Sequence, residues 1–366
     1  MTRPLRIVHG PVNVGNQPYV LAQHERALGA DSTLVVNYGT WTDYRTDRSH
    51  GDYGVRTTRT VLRRLLFGLR APFSYDVLHF YFGRSYLSWD DFGGPNWLWF
   101  RDLRLAKRLG RRVFMTLQGC DVRISRRSAE LFDVTPCHAG NCSAVPTCRS
   151  VIDDQREELV RTILPLADGV FALNPELVRY APSARFLPYA SVDVDSFDVV
   201  PPTPDDRIRI VHAPSDEGIK GTPLITAAVE RLRARHPIEY DLVTGIPHAE
   251  ALERYKRADL VIDQTLAGWY GGLAVEAMAM GKPVAAYIRD DDLGVVPAAM
   301  RAELPIVRIA PATIEQDLEA AIAQRDQWAE WGSGSREFVL RWHHPAKLAR
   351  QLLRVYENPG TPLELG

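Results

Sequence analysis

Residues 258–286 read ADLVIDQTLAGWYGGLAVEAMAMGKPVAA. An apolar run that closes on an acid, Leu260, Val261, Ile262 and Asp263, predicts a buried strand. A loop follows, then Gly271 and Gly272, then a run rich in Ala and Met that suits a helix. Gly281 is placed to close that helix in the left-handed conformation, and Pro283 forbids its continuation. A helix that starts after glycines at the C-terminal edge of a parallel sheet aims its unpaired N–H groups, and the positive end of its dipole, at its ligand. That position suits a phosphate or diphosphate. Glu276 lies one turn further in and cannot serve the anion. Its carboxylate suits sugar hydroxyls, as acids do on a nucleotide ribose. The local chemistry points to a nucleotide-type ligand.

Outward from this stretch the alternation continues. Strands are expected over 208–211, 240–243, 260–263, 284–288 and 306–309, with helices over 222–235, 249–257 and 313–328. An earlier series has strands over 6–9, 32–36, 77–80, 113–117 and 169–172, and helices over 18–28, 97–109 and 153–166. Such alternation implies an α/β fold with parallel sheets wound on both faces. The polar, proline-bearing stretch 188–204 reads as a crossing between domains. The expected domains are 1–195 and 205–342, with 343–366 as a C-terminal helix and tail packing back on the first. Two such domains leave a cleft of the kind where ligands bind.

The length of 366 residues suits two domains, and 45% apolar with 24% charged residues gives ample core material. A formal net charge of −1 argues against a nucleic-acid partner. The opening MTRPLRIVHG passes straight into a strand, and no run approaches a membrane span. A cytoplasmic location with reduced thiols is the expectation.

Two loops add to the anion reading. HGPVNVGNQPYV, starting at His9, carries Gly10 and Gly15 between a strand and a helix that Asn16 is placed to cap. It lacks the G-x-G-x-x-G spacing, so a dinucleotide site is not supported. VHAPSDEGIKGT, starting at Val211, puts Ser215 and Lys220 after a strand. Lys220 ahead of Gly221 and Thr222 can bring a point charge to a diphosphate.

In order, IVHAP with IKGT, then YKRADLVIDQ, then GWYGGLAVEAMAMGKPV resemble the donor domain of retaining GT-B glycosyltransferases, family 4 in particular. VNVGNQPYVLAQHERALG, YDVLHFYFG, MTLQGCDVR, ADGVFALNPELVRYAP and FLPYASVDVDSF resemble the first domain and interdomain stretch of the same family. The resemblance implies two Rossmann-like, doubly wound domains facing across a cleft. It implies hexosyl or related transfer from a nucleoside-diphosphate sugar to a hydroxyl acceptor (glycan, lipid or small molecule), with retention and without a catalytic metal. Lys220 with the amides of Gly271, Gly272 and Leu273 would hold the diphosphate, helped by Gly15 and Ser215, and Glu276 would hold the ribose. Lys220, Gln118 and Asp121 are the implied catalytic residues. Asp290, Asp291 and Asp292 read as a solvated loop.

Three positions depart from the family pattern. Gly268 stands where a glutamate usually contacts the donor sugar, eight positions before Glu276. Ser215 stands where an arginine is common, and Gln118 replaces a histidine. The diphosphate grip stays recognisable while the sugar contacts change, with Asp263 or Arg123 as substitutes. Competing readings are a non-catalytic nucleotide-sugar-binding protein and a sugar-nucleotide epimerase on the same fold.

Cys120, Cys137, Cys142 and Cys148 are candidates for a structural Zn²⁺ site if the loop folds back, with His138 to spare; free thiols are the alternative. The basic stretch 56–70, RTTRTVLRRLLFGLR, reads as a surface helix with Leu62, Leu65, Leu66 and Leu69 packed on the sheet. Its alternative is peripheral contact with the inner membrane face. Trp89, Phe92, Trp97, Trp99 and Phe100 are candidates for an acceptor pocket or for core. His9, His79 and His212 read as core histidines without a proton-transfer role.

Overall fold

Short apolar runs separated by helical patterns become parallel strands throughout the computed structural model, which describes residues 3–88, 97–203 and 205–366. The chain divides into two units. The first comprises Met1–Arg123, Asp154–Ser191 and Pro345–Leu365, and the second Ile124–Asp153, Val192–His344 and Gly366.

In the first unit the strands are β1 (Arg6–Gly10), β2 (Asp31–Val36), β3 (Arg48–Ser49), β4 (Val77–Tyr81), β5 (Arg112–Leu117), β6 (Gly169–Ala172) and β7 (Arg185–Phe186). They pair in the order β3-β2-β1-β4-β5-β6-β7, all parallel. The order reverses between β1 and β4, and ligands of open α/β sheets bind beyond the strand ends at such a reversal. The loop bearing Gly15 follows β1 there.

The second unit holds β8 (Ile208–His212), β9 (Ile238–Leu242), β10 (Leu260–Gln264), β11 (Val284–Ala286) and β12 (Ile306–Arg308). Their order is β12-β11-β10-β8-β9, again parallel, with the reversal between β8 and β10. Ile210, Ile225, Val229, Leu260, Ile262, Leu318 and Trp328 fill one side of this sheet. The expected strands are present in both units. The two-residue β3 and β7 escaped the sequence reading because so short a run carries no periodicity.

The C-terminal helix Pro345–Glu357 belongs to the first unit, where Leu348, Leu352, Val355 and Tyr356 join a core with Ile7, Leu21, Val77 and Phe114. Each such aliphatic side chain contributes roughly 1.5–3 kcal/mol on burial. Tyr356 also enters a buried polar chain. Its hydroxyl meets His79 Nδ1 at 2.5 Å, and His79 Nε2 meets Thr116 Oγ1 at 2.7 Å. His9 bridges Tyr81 at 2.8 Å and Glu25 at 2.7 Å, and Ser32 donates to Glu25. Burial holds the His79 imidazole well below its usual pKa. His9 and His79 are therefore core residues whose polar atoms are paired, as buried polar groups must be.

One expectation fails here. The helix Thr58–Ser74 buries Val61, Arg64, Gly68, Ala71 and Pro72 and turns Leu62, Leu66 and Leu69 to solvent, with Leu65 half-buried. Close packing decides the orientation. A Cβ at Gly68 would lie 2.7 Å from Leu87 Cδ2, so this face approaches nearer than a leucine face could. Arg64 crosses beneath to donate to the Tyr86 carbonyl at 2.9 Å. Of the aromatic candidates, Trp97 is exposed and Phe100 is core, while Trp89 and Phe92 lie outside the described residues.

Candidate active site

β8 delivers the chain to a loop whose Asp216 caps the short turn Glu217–Lys220, accepting from Ile219 N at 2.9 Å. Gly221 then reverses direction at φ 76°, and its Cβ would fall 2.5 Å from Thr265 Cγ2, so no other residue fits. The Lys220 carbonyl accepts from Thr265 N at 3.0 Å, which stitches this loop to the one after β10.

The buried carboxylate of Asp263 lies between these loops. Lys220 Nζ donates to its Oδ1 at 2.7 Å and the Gly271 amide to its Oδ2 at 2.5 Å. The expected amide at Gly271 is thus committed to Asp263. The helix Gly272–Ala279 has Gly271 as N-cap and no side-chain cap, so its first-turn amides, those of Gly272 and Leu273 among them, have no acceptor within the helix. A Cβ at Gly271 would stand 2.9 Å from Lys220 Nζ, which places the ammonium against the helix start. Sequence reasoning named Lys220 and both glycines, but gave Asp263 as a substitute sugar contact and not as the carboxylate that holds Lys220 and Gly271. The signal was the acid closing an otherwise apolar strand.

Glu276 is nearly buried, and its Oε1 pairs with His248 Nε2 at 2.6 Å. Burial opposes the charge on His248, but hydrogen bonding and attraction from Glu276 prevail and raise its pKa. His212 is neutral: burial pushes its pKa down to about 4, its Nδ1 donates to the Ile262 carbonyl at 2.8 Å, and Thr222 donates to its Nε2. Ser215 is exposed in the β8 loop.

Gly268 has a physical reason. Its φ is +74°, and a Cβ would lie 2.7 Å from Arg289 Nη1. Arg289 is held by Asp292 at 2.9 Å, by the Val134 carbonyl and by the Phe132 ring, 3.8 Å below the guanidinium. Asp292 is therefore buried in an ion pair, a correction to the solvated loop, whereas Asp290 and Asp291 are exposed. The same excursion, 124–153, presses on the Lys220 loop, since a Cβ at Gly218 would meet Asn141 O at 2.5 Å.

In the first unit Gly15 adopts φ +61° with open space where a side chain would be. Asn16 is the N-cap residue of the helix Gln17–Ala27, but its side chain makes no capping bond. Gln118 donates from Nε2 to the Val14 carbonyl at 3.1 Å, tying the β5 loop to the Gly15 loop, and its buried Oε1 has no partner among the described residues. Asp121 receives the amides of Gln118 (3.0 Å) and Gly119 (2.7 Å). Burial raises its carboxyl pKa. Its oxygens are occupied with the loop, which suits a positioning role. Arg123 is spent on Glu176, with Cys120 Sγ 3.4 Å from its Nη1.

None of the four cysteines forms a disulfide among the described residues, and no group of three or more His, Cys, Asp or Glu side chains among them could hold a metal ion. The zinc expectation therefore has no support. Burial pushes the Cys142 thiol pKa up, and His138 bonds the Phe132 carbonyl at 2.9 Å instead.

No protein-family model and no curated protein matches the chain. Solved structures match along its length. Sucrose-phosphate synthase from Thermosynechococcus elongatus is 15% identical with TM-score 0.59, covering 98% of this chain and 99% of that one. HepE of Anabaena, in complex with UDP and glucose, is 12% identical with TM-score 0.57, covering 96% and 99%. MnaA of S. aureus, a UDP complex, is 12% identical with TM-score 0.53, covering 100% of both. At such identities the likeness concerns architecture. The chain has the GT-B fold, with two Rossmann-like α/β domains.

Proposed function

We propose that this protein is a glycosyltransferase that moves a hexosyl or related sugar from a nucleoside diphosphate to a hydroxyl acceptor, with retention and without a catalytic metal. The observation that carries the reading is the Lys220–Asp263–Gly271 constellation at the β8/β10 reversal, beside uncapped helix amides. In this reading the Gly272 and Leu273 amides and the remaining donors of Lys220 receive the diphosphate. They are fixed before reaction, so they stabilise the charge that develops as the sugar–phosphate bond breaks. Asp263 holds the ammonium in place and lowers the local net charge. The acceptor oxygen bonds to the anomeric carbon, and its proton passes to the leaving diphosphate, so no separate enzymic base is needed.

Glu276 would offer Oε2 to a ribose hydroxyl while His248 retains Oε1. Ser215 is assigned to the phosphates as well. A thermal-shift screen of nucleoside diphosphates and their sugars tests the reading. A ligand at 100 times its Kd should stabilise by about 2.7 kcal/mol. No shift with any nucleoside diphosphate would end the proposal. A second reading, a nucleotide-sugar-binding protein without transfer, draws on Arg289 filling the place beside Gly268. It predicts the same shift with no acceptor-dependent release of nucleoside diphosphate.

A further inference from the structure

The helix Thr58–Ser74 wears its apolar side outward. It starts at a capping box, with Thr57 Oγ1 accepting from Thr60 N at 3.2 Å and Thr60 Oγ1 from Thr57 N at 3.0 Å. Leu62, Leu66, Leu69 and Phe73 are 55%, 42%, 46% and 59% exposed. At 3.6 residues per turn these four fall within about 60° of arc, a continuous stripe about three turns long. Scattered exposed leucines need no explanation, but an aligned row does. Tyr53 and Val55, just ahead of the helix, are exposed too.

Charge says what covers this row. Arg59, Arg63 and Arg70 are exposed and lie together along one flank, roughly 60–100° from Leu62 by the same helical geometry. None of the three has a carboxylate partner among the described residues, and no acid occurs between Tyr53 and Tyr75. The whole chain carries a formal charge of only −1, so this cationic flank is a local concentration. Guanidinium groups at the level of lipid phosphates, with leucine and phenylalanine side chains below them, are the pattern of a helix lying in a bilayer interface.

We infer that the outward face of this helix docks the protein on an anionic phospholipid surface. The helix does not span: no helix among the described residues is long and apolar enough to cross a membrane. Leu62, Leu66, Leu69 and Phe73 enter the acyl boundary while the arginine flank meets phosphate. The inference is independent of the nucleotide reading, because none of these residues belongs to the candidate site.

Co-sedimentation of the full chain with vesicles tests it. Vesicles of equal parts phosphatidylcholine and phosphatidylglycerol should bind the protein, phosphatidylcholine alone much less, and added salt should weaken the binding. Leu66→Glu and the double change Arg59→Glu with Arg63→Glu should each lower partition by about tenfold or more. Both alter exposed side chains, and an unchanged melting temperature verifies folding. Absence of binding to the anionic vesicles would overturn the inference, as would equal binding to neutral ones or full binding by Leu66→Glu. So would a wild-type dimer in light scattering that Leu66→Glu converts to monomer, since a second copy would then be the occupant.

Discussion

The helices Gly272–Ala279 and Thr58–Ser74 make an instructive pair. The first is apolar nearly all round, and Ala274, Val275, Ala277, Met278 and Ala279 are buried as that composition requires. Its surroundings follow from its neighbours in sequence: a buried strand before it, glycine at each end, a proline after it. The second is two-faced, and periodicity identifies the faces without saying which one turns inward. Tyr86 and Leu87, contributed from beyond β4, decide that by demanding the small face of Gly68 and Ala71. Local pattern fixes an element; which side it buries is settled by partners far along the chain.

Substitutions can break or sharpen this contrast. The largest effect is expected at the start of the buried helix. Lys220→Ala should cut acceptor-dependent turnover by about 100- to 1,000-fold, the cost typical of losing one fixed donor to developing charge. Steady-state kinetics with the donor found by thermal shift would measure it. Gly268→Glu would place a side chain at positive φ and against the Arg289 guanidinium together. A stability loss of about 2–4 kcal/mol in urea unfolding is expected, and a neutral result would show that Arg289 yields.

The two faces of the Thr58 helix should respond unequally. Gly68→Val drives a side chain into Leu87 and should cost about 1–3 kcal/mol, whereas Leu66→Glu should change stability by less than about 0.5 kcal/mol. Equal losses would mean that the leucine face is covered. The smallest effect concerns His248. Its folded pKa is raised, so the pair with Glu276 stabilises fully below the unfolded value near 6.5 and loses that contribution as pH rises through the folded value. The stability gap between wild type and His248→Gln, at most about 1 kcal/mol, should therefore narrow from pH 6 to pH 9 in thermal melts.

Much of the fold was legible. The strand closing on Asp263, the paired glycines and Gly281 are local signals, and Gly281 does adopt φ +71°. Lys220 and Gly271 stand out as candidates because their chemistry is written in a loop and a helix start. Asp263 was legible as a strand end and as a substitute sugar contact, not as the group that receives both Lys220 and Gly271, since the contact with Lys220 joins residues 43 positions apart. The excursion 124–153 was read for its cysteines. Its structural bond is Arg289 against Phe132 and Val134, a pairing across 155 positions that no window of sequence contains. The helix expected over 313–328 ends at Ile322, and a separate one, Trp328–Trp342, follows. Gly332 allows that second helix to approach Gly281, where a Cβ would lie 2.0 Å from its carbonyl oxygen.

Tyr356 has a consequence for how the protein is made. The first unit needs its hydroxyl at His79 and its ring in the core, yet these follow the whole of Val192–His344 in sequence. On the ribosome, the sheet begun at Arg6 must wait, one flank uncovered, while every residue of the second unit emerges and is free to fold. The core around Ile7 and Val77 is thus completed only after the intervening second unit has been made, and losing Val355 and Tyr356 would injure a sheet that precedes them by more than 150 positions.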